Sequence, residues 1–179
     1  MEYGRAPRKP RTRRARWPAA NATATLLQVT NPPPAPSLIT AYACTRWEVE
    51  TAAGAREIRI GREAPAELRR TAILTGWNPR SLRRPQHENE AANRHLATRL
   101  LRAGATLAAA VALAPDDPAG RWREPGFLVR GISREEAARI AARYGQNAIV
   151  WIGDDAVPVL VTARHGFGGA GTGHRIAIS

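Results

Sequence analysis

Short segments with a two-residue hydrophobic period recur along residues 38–161, and two longer segments with a helical period interrupt them. A period of two places alternate side chains on opposite faces of a strand, whereas spacings of three and four build one face of a helix. The order of the segments is three strands, a helix, two strands, a second helix and two strands. This order predicts the α/β class, with α+β as the alternative: a single mixed sheet of about seven strands with two long helices packed on it.

The strand predictions rest on alternation and on turn residues. Residues 38–50 alternate throughout, and Ala52-Ala53-Gly54 predicts a hairpin turn into a second strand around Ile58 and Ile60. A short helical turn at residues 65–70 then leads into a third strand. The remaining strands are predicted at residues 71–77, 105–113, 127–132, 148–152 and 157–161.

Both long helices carry start and stop signals. The first is predicted after Pro85 and ends at Gly104, which suits a C-terminal cap. The second begins with the capping box formed by Ser133 and Glu136, and Gly145 ends it. Both helices are therefore expected to have defined ends.

The two ends of the chain differ in composition from the middle. Residues 1–36 are rich in Arg and Pro and lack apolar periodicity, which predicts a disordered arm and linker. Residues 164–179 are Gly-rich and predict a flexible tail. The compact α/β domain is therefore expected to span residues 37–163.

The formal net charge is +12, and it is concentrated at the N-terminus. Lys9 is the sole lysine among the 27 basic residues, and a strong preference for Arg is also what a G+C-rich coding bias produces. An arginine arm gains affinity for phosphate backbones by releasing counterions. The alternatives are a solvated tail and a nucleic-acid-binding arm, the latter with four candidate residues, Arg11, Arg13, Arg14 and Arg16.

Several classes of protein lack support in the sequence. A lone cysteine, Cys44, cannot form an internal disulfide, which favours a reducing, cytoplasmic setting, and the residue is interpreted as a small buried hydrophobe. No apolar run is long enough to cross a membrane. The four histidines lack partners at metal-ligand spacing, and the glycines of residues 166–171 precede no helix, so neither a metal nor a cofactor is predicted.

The core resembles the bacterial family named domain of unknown function 3293 over about residues 37–162. The motifs that carry the resemblance are Leu38-Ile39-Thr40-Ala41, Thr75-Gly76-Trp77-Asn78-Pro79 with Ser81, Glu88-Asn89 with Asn93 and Leu96, Trp122 with Glu124-Pro125, Phe127-Leu128-Val129, Gly131-Ile132-Ser133, Tyr144-Gly145-Gln146 and Ala148-Ile149-Val150-Trp151. This resemblance implies a compact bacterial cytoplasmic domain and brings no established activity. The family pattern has a serine after the Glu-Pro pair, where this chain has Gly126.

The two strand-to-helix junctions are candidate ligand sites, because a helix start presents free amide groups and partial positive charge. If the preceding strands run parallel, both junctions face one edge of the sheet. The alternative is that their Asn and Ser side chains cap helices and fix loops. The candidate ligand-binding residues are Trp77, Asn78, Ser81, Asn89, Asn93, Trp122, Ser133 and Gln146.

Glu88 and Glu124 are the carboxylates nearest these junctions, and either is a candidate general acid or base. The leading hypothesis is an anionic small ligand, a nucleotide or phosphorylated metabolite, bound at the helix starts. The alternatives are a nucleic-acid-associated protein that uses the basic arm and an enzyme that uses one of the two glutamates. The sequence does not predict an oligomeric state.

Overall fold

The computed structural model describes residues 37–115, 122–169 and 171–176. The predicted arm at residues 1–36, with Arg11, Arg13, Arg14 and Arg16, lies outside the described residues. So does most of the polar turn before the fifth strand.

Seven strands form one sheet, as predicted. The strands are β1 (Arg46–Thr51), β2 (Gly54–Arg59), β3 (Thr71–Leu74), β4 (Thr106–Leu113), β5 (Arg123–Arg130), β6 (Ala148–Ile152) and β7 (Pro158–Thr162). Their order across the sheet is β2-β1-β4-β5-β3-β6-β7. All six of these strand pairs are antiparallel. The predicted fold class is confirmed, with antiparallel pairing throughout the described sheet.

Three α-helices accompany the sheet: α1 (Leu38–Cys44), α2 (Gln86–Arg102) and α3 (Arg134–Arg143). The two long helices are those predicted. The Ser133 hydroxyl accepts a hydrogen bond from the Glu136 amide at 3.1 Å, which is the expected cap of α3. Short 3₁₀ turns occupy Ala66–Leu68, Pro79–Ser81 and Phe167–Gly169.

The long helices cover one face of the sheet, called here the outer face. Helix α2 packs on β4 and β5, and α3 packs on β3 and β6. Leu96 and Leu100 of α2 are fully buried against strand residues such as Val129. Burial of this apolar surface is the main stabilising contribution of the two helices.

The opposite face, called here the inner face, is concave because the sheet curls. A second apolar cluster draws residues from all seven strands, including Val49, Ile58 and Leu160. Beyond the two edge strands the chain closes the gap, since the Gly61 amide donates to the Pro158 carbonyl at 2.9 Å. The sheet therefore resembles an incomplete barrel with its own interior.

The first half of the strand predicted at residues 38–50 is wrong, because Leu38–Cys44 is helical. The Ser37 side chain accepts a hydrogen bond from the Thr40 amide at 3.2 Å and caps this helix. A run of seven residues is too short for its period to decide between helix and strand. Cys44 ends the helix and is exposed, so its interpretation as a buried strand residue is also wrong.

The described part of the predicted flexible tail packs against the sheet. Ile176 is buried in the inner cluster, and its amide donates to the Leu160 carbonyl at 2.9 Å. The Thr162 amide donates to the His174 carbonyl at the same distance. Residues 173–176 therefore run along β7.

Candidate functional site

A cavity of about 250 Å³ lies at one end of the curled sheet, beneath α1. Strand register explains its wall: Trp47 pairs with Ala112, and Ala112 pairs with Glu124, so the three side chains point to the inner face. The deeper wall is apolar and includes Ile73, Ala110, Ala148, Val150 and Leu160.

Small side chains create the space. Ala110 and Ala112 of β4 and Ala148 of β6 stand where larger residues would fill the interior. At Gly126 of β5 there is no room even for a methyl group, because a Cβ atom there would lie 2.5 Å from the Leu74 carbonyl oxygen. The serine found at this position in the family pattern would therefore require the local backbone to move in this chain.

Glu124 is the carboxyl group of the cavity. One of its oxygens, Oε1, accepts a hydrogen bond from the Asn78 side-chain amide at 2.7 Å. Burial raises the pKa of Glu124, and the bond from Asn78 offsets that rise only in part. The side chain can therefore hold a proton at a higher pH than an exposed glutamate.

Tyr42 of α1 forms the roof of the cavity together with Ser81. Their hydroxyl groups are 3.1 Å apart, and the Asn147 amide donates to the Ser81 oxygen at 3.2 Å. Burial raises the pKa of Tyr42, and the negative charge of Glu124 raises it further. The Asn147 Oδ1 atom is buried and lacks a hydrogen-bond partner among the described residues.

The loop at the cavity mouth is strained. Asn78, Arg80 and Ser81 have positive φ angles of 44°, 57° and 60°. Outside glycine such conformations cost on the order of 1 kcal/mol or more each and persist when neighbouring contacts enforce them. Here the Arg80 amide donates to the Gly145 carbonyl at 2.8 Å, and the Ser81 amide donates to the Asn78 carbonyl at 2.9 Å.

Asn89 and Asn93 anchor this loop from α2. The Asn93 carbonyl oxygen accepts from the Gly76 amide at 2.6 Å, and its NH₂ group donates to the Pro125 carbonyl at 2.8 Å. Asn89 accepts from the Asn78 amide at 2.8 Å and donates back to the Asn78 side chain at 3.0 Å. Both side chains are buried and bonded to the chain itself, which favours the loop-fixing alternative for these two residues.

Gln146 and Trp122 both line the cavity. Gln146 also fixes the loop, since its amide donates to the Trp77 carbonyl at 2.9 Å. Trp77 itself lies outside the cavity, in a neighbouring depression of the surface. The structure therefore gathers Asn78, Ser81, Trp122, Glu124 and Gln146 around one space, with Trp77 next to it.

Ser133 and Glu88 do not join this group. The strands that precede the two helix starts, β3 and β5, are antiparallel, so the junctions lie at opposite ends of the sheet and the expected shared edge is absent. Ser133 caps α3 there. Glu88 is an exposed residue of α2 that pairs with Arg84 at 3.2 Å, and it does not line the cavity.

Sequence reasoning missed Tyr42 and the small residues of the wall. Tyr42 falls within the strand predicted at residues 38–50, and it reaches the cavity from helix α1 instead. The alanines at 108, 110 and 112 repeat with period two, which was the available signal for a strand face with unusually little volume. Among the described residues, no group of three His, Cys, Asp or Glu side chains is placed to hold a metal ion.

The fold and the site define a small α/β domain whose curled antiparallel sheet borders a partly open cavity with one partly buried carboxyl group. A family model described as "Protein of unknown function (DUF3293)" matches residues 74–149, which confirms the resemblance. The match includes Asn78, Ser81, Glu124 and Gln146 and stops short of Tyr42. No curated protein and no solved structure matches the chain.

Within the described residues, no helix combines the length and apolar character needed to span a bilayer.

Proposed function

We propose that this chain binds a small molecule in the cavity at the end of the curled sheet. The observation that carries the proposal is a concave, partly open and mainly apolar space that contains one partly buried carboxyl group. Ligand sites in proteins share this composition: apolar walls provide affinity, and a few polar groups fix orientation. The volume suits a single ring system or a short acyl group.

The contacts available to a ligand differ between the base and the roof of the cavity. At the base, Ile73, Val150 and Leu160 offer apolar surface. At the roof, Glu124 and Tyr42 offer hydrogen-bonding groups. Because burial raises the pKa of both, each can act as a donor over a wider pH range than an exposed counterpart.

The sequence also predicted a small ligand, but at the helix starts, whereas the proposal places it in the cavity. Asn78 and Ser81 remain candidate contacts, whereas Asn89 and Asn93 act by holding the loop that carries Asn78. The ligand therefore binds at the interior of the sheet rather than at a helix start.

Filling the cavity tests the proposal. We would screen the full chain against a panel of small aromatic, heterocyclic and acyl compounds by thermal shift and by NMR, and repeat each positive result with Ala112→Leu. This substitution adds three carbon atoms to the wall and should abolish binding while the protein stays folded. Ala109→Leu is the matched control, because Ala109 is exposed on the same strand.

Two results would contradict the proposal. One is a bound compound whose affinity is the same in the Ala112→Leu and Ala109→Leu variants. The other is the absence of any stabilising compound in the panel, since a ligand at one hundred times its Kd raises stability by about 2.7 kcal/mol.

An enzymatic role for Glu124 is the second candidate, and the raised pKa of this partly buried carboxyl group at the cavity favours it. A general acid or base works best when its pKa lies near the operating pH. Glu124→Gln preserves the acceptor for Asn78 and removes the titrating proton. If the bound compound is converted by the natural chain, the variant should bind it without turnover.

Nucleic-acid binding through the N-terminal arm stays a prediction, as does a bacterial cytoplasmic setting. Deletion of residues 1–35 should weaken RNA and DNA binding and flatten its salt dependence if the arm acts in this way. Unchanged binding would remove that alternative.

A further inference from the structure

A second depression adjoins the cavity at its mouth. The two share Asn78, Arg83 and Trp122, and these residues form the boundary between them, called here the neck. We define this depression as the arginine cleft, which is lined by Trp77, Asn78, Arg83, Arg84, Gln86, Asn89, Trp122 and Arg123.

The arginine cleft is electropositive. It contains three guanidinium groups, and the Arg84 group is paired with Glu88 at 3.2 Å. Among the ion pairs formed between described residues, none involves Arg83 or Arg123. Guanidinium groups bind carboxylate and phosphate oxygens in planar, often bidentate geometry. The cleft therefore offers anion contacts that the chain itself leaves unused in its described part.

The cavity and the cleft favour opposite parts of a ligand. The cavity wall is apolar, and its carboxyl group Glu124 repels an anion whenever it is ionised. The cleft carries Arg83 at the neck, with Arg123 further along the same surface. A ligand with an apolar end and an anionic end would be oriented by both regions at once.

We propose that the ligand is an apolar ring or acyl compound bearing an anionic group, with the apolar part in the cavity and the anion in the arginine cleft. This inference rests on the proposed function and narrows its ligand class. It retains the anionic ligand expected from the sequence, with arginine side chains rather than helix amides as the anion contacts. Phosphate and carboxylate share this chemistry.

The decisive comparison uses a matched pair of probes, 1-naphthyl phosphate and 1-naphthol, titrated into the full chain by calorimetry. The phosphate ester should bind about tenfold tighter or more, because charge-assisted hydrogen bonds are stronger than neutral ones. Arg83→Gln should remove most of that difference, and Arg123→Gln, at a residue that lines the cleft but not the cavity, should reduce it while leaving naphthol binding unchanged. Arg62→Gln is the control, since Arg62 is exposed and lies outside both regions.

The outcomes separate the two proposals. Equal affinities for the ester and naphthol, both lost in Ala112→Leu, would overturn the anionic inference and leave the cavity proposal standing. Binding of inorganic phosphate as tightly as the ester, unaffected by Ala112→Leu, would assign the cleft to free phosphate and overturn the combined ligand. If neither naphthyl probe binds, this inference is overturned, while the cavity proposal still depends on its own panel of compounds.

Discussion

The two faces of the curled sheet differ in how their side chains pack. On the outer face, Leu96 and Leu100 of α2 are fully buried, and α3 packs closely through Ile140 and three alanines. On the inner face, Trp47 stands opposite Ala112 across the β1–β4 pair, and an alanine and a glycine face each other at Ala110 and Gly126. The same strands build both faces, yet the inner face leaves a cavity beside its own apolar cluster.

This difference assigns most of the packing stability to the outer face and the candidate binding function to the inner face. A close-packed interior is the general rule in proteins, and each missing methylene group costs stability. The inner face leaves a cavity around the partly buried carboxyl group of Glu124, at a cost in stability, whereas the outer face is closely packed. We therefore expect large-to-small substitutions on the outer face to lower stability. Small-to-large substitutions at the cavity of the inner face should abolish binding.

The largest effect should come from the outer face. Leu96→Ala removes a side chain with no exposed surface and should lower the free energy of unfolding by about 3 kcal/mol. Leu101→Ala, five residues further along the same helix, is the control because that side chain is 57% exposed. Urea denaturation of the two variants measures the contrast, and similar midpoints would show that the outer face is not the main stabilising layer.

Gly126→Ser tests how closely β5 packs against β3 beside the cavity. The added Cβ atom would lie 2.5 Å from a backbone oxygen of β3, so the strands must separate locally, at a cost of about 2 kcal/mol. Ala109→Ser is the control, because it adds a hydroxyl group at an exposed position of β4. A Gly126→Ser variant as stable as its control would mean that β3 and β5 move apart freely.

Asn93→Ala tests the link between the two faces, since Asn93 lies on an outer-face helix and holds the mouth of the inner cavity. Loss of its bond leaves the buried Gly76 amide without a partner, which should cost about 1.5 kcal/mol. Gln86→Ala removes an exposed amide from the same helix and should change stability little. A thermal melt of both variants gives the comparison; equal melting temperatures would contradict the loop-fixing role.

The smallest effect concerns Glu124, the carboxyl of the inner face. Burial raises its pKa above the ordinary value of 4.5, so the folded state holds the proton more tightly than the unfolded state does. Its favourable contribution is complete at low pH and is lost as the pH rises through the folded-state pKa. Glu124→Gln should therefore be more stable than the natural chain at neutral pH, and the advantage should vanish near pH 4.

Denaturation at a series of pH values measures this difference. Glu63→Gln, at an exposed position, is the control. An unchanged difference between pH 4 and pH 7 would show that Glu124 is solvated in the folded chain.

The sheet and the long helices were predictable because their signals are local. Hairpin turns, the Ser133 cap and the glycine after α2 all act within a few residues. Helix α1 was not predicted, because the pattern of only seven residues fits the period of a strand as well as that of a helix. Strand direction is a non-local property, so the antiparallel pairing of β3 and β5 that separates Ser133 from Asn78 could not be read from the sequence.

The candidate site was predictable only in part, because it also depends on non-local contacts. Asn78, Ser81 and Glu124 were singled out by residue type and position near predicted junctions, and the structure brings them to one cavity. Their distances depend on contacts across the fold: Asn78 meets Glu124 across 46 positions, and Tyr42 meets Ser81 across 39. No local pattern encodes such pairs.

The segment at residues 173–176 bears on the tendency of the chain to associate with copies of itself. An uncovered strand edge presents amide and carbonyl groups on which other chains can extend a sheet, the first step of aggregation. In this chain the hydrogen bonds from the Gly173 and Ile176 amides to the Thr162 and Leu160 carbonyls occupy that edge of β7. The glycine-rich segment thus leaves the backbone groups of Leu160 and Thr162 on this edge already bonded, so they offer another chain no place to extend the sheet.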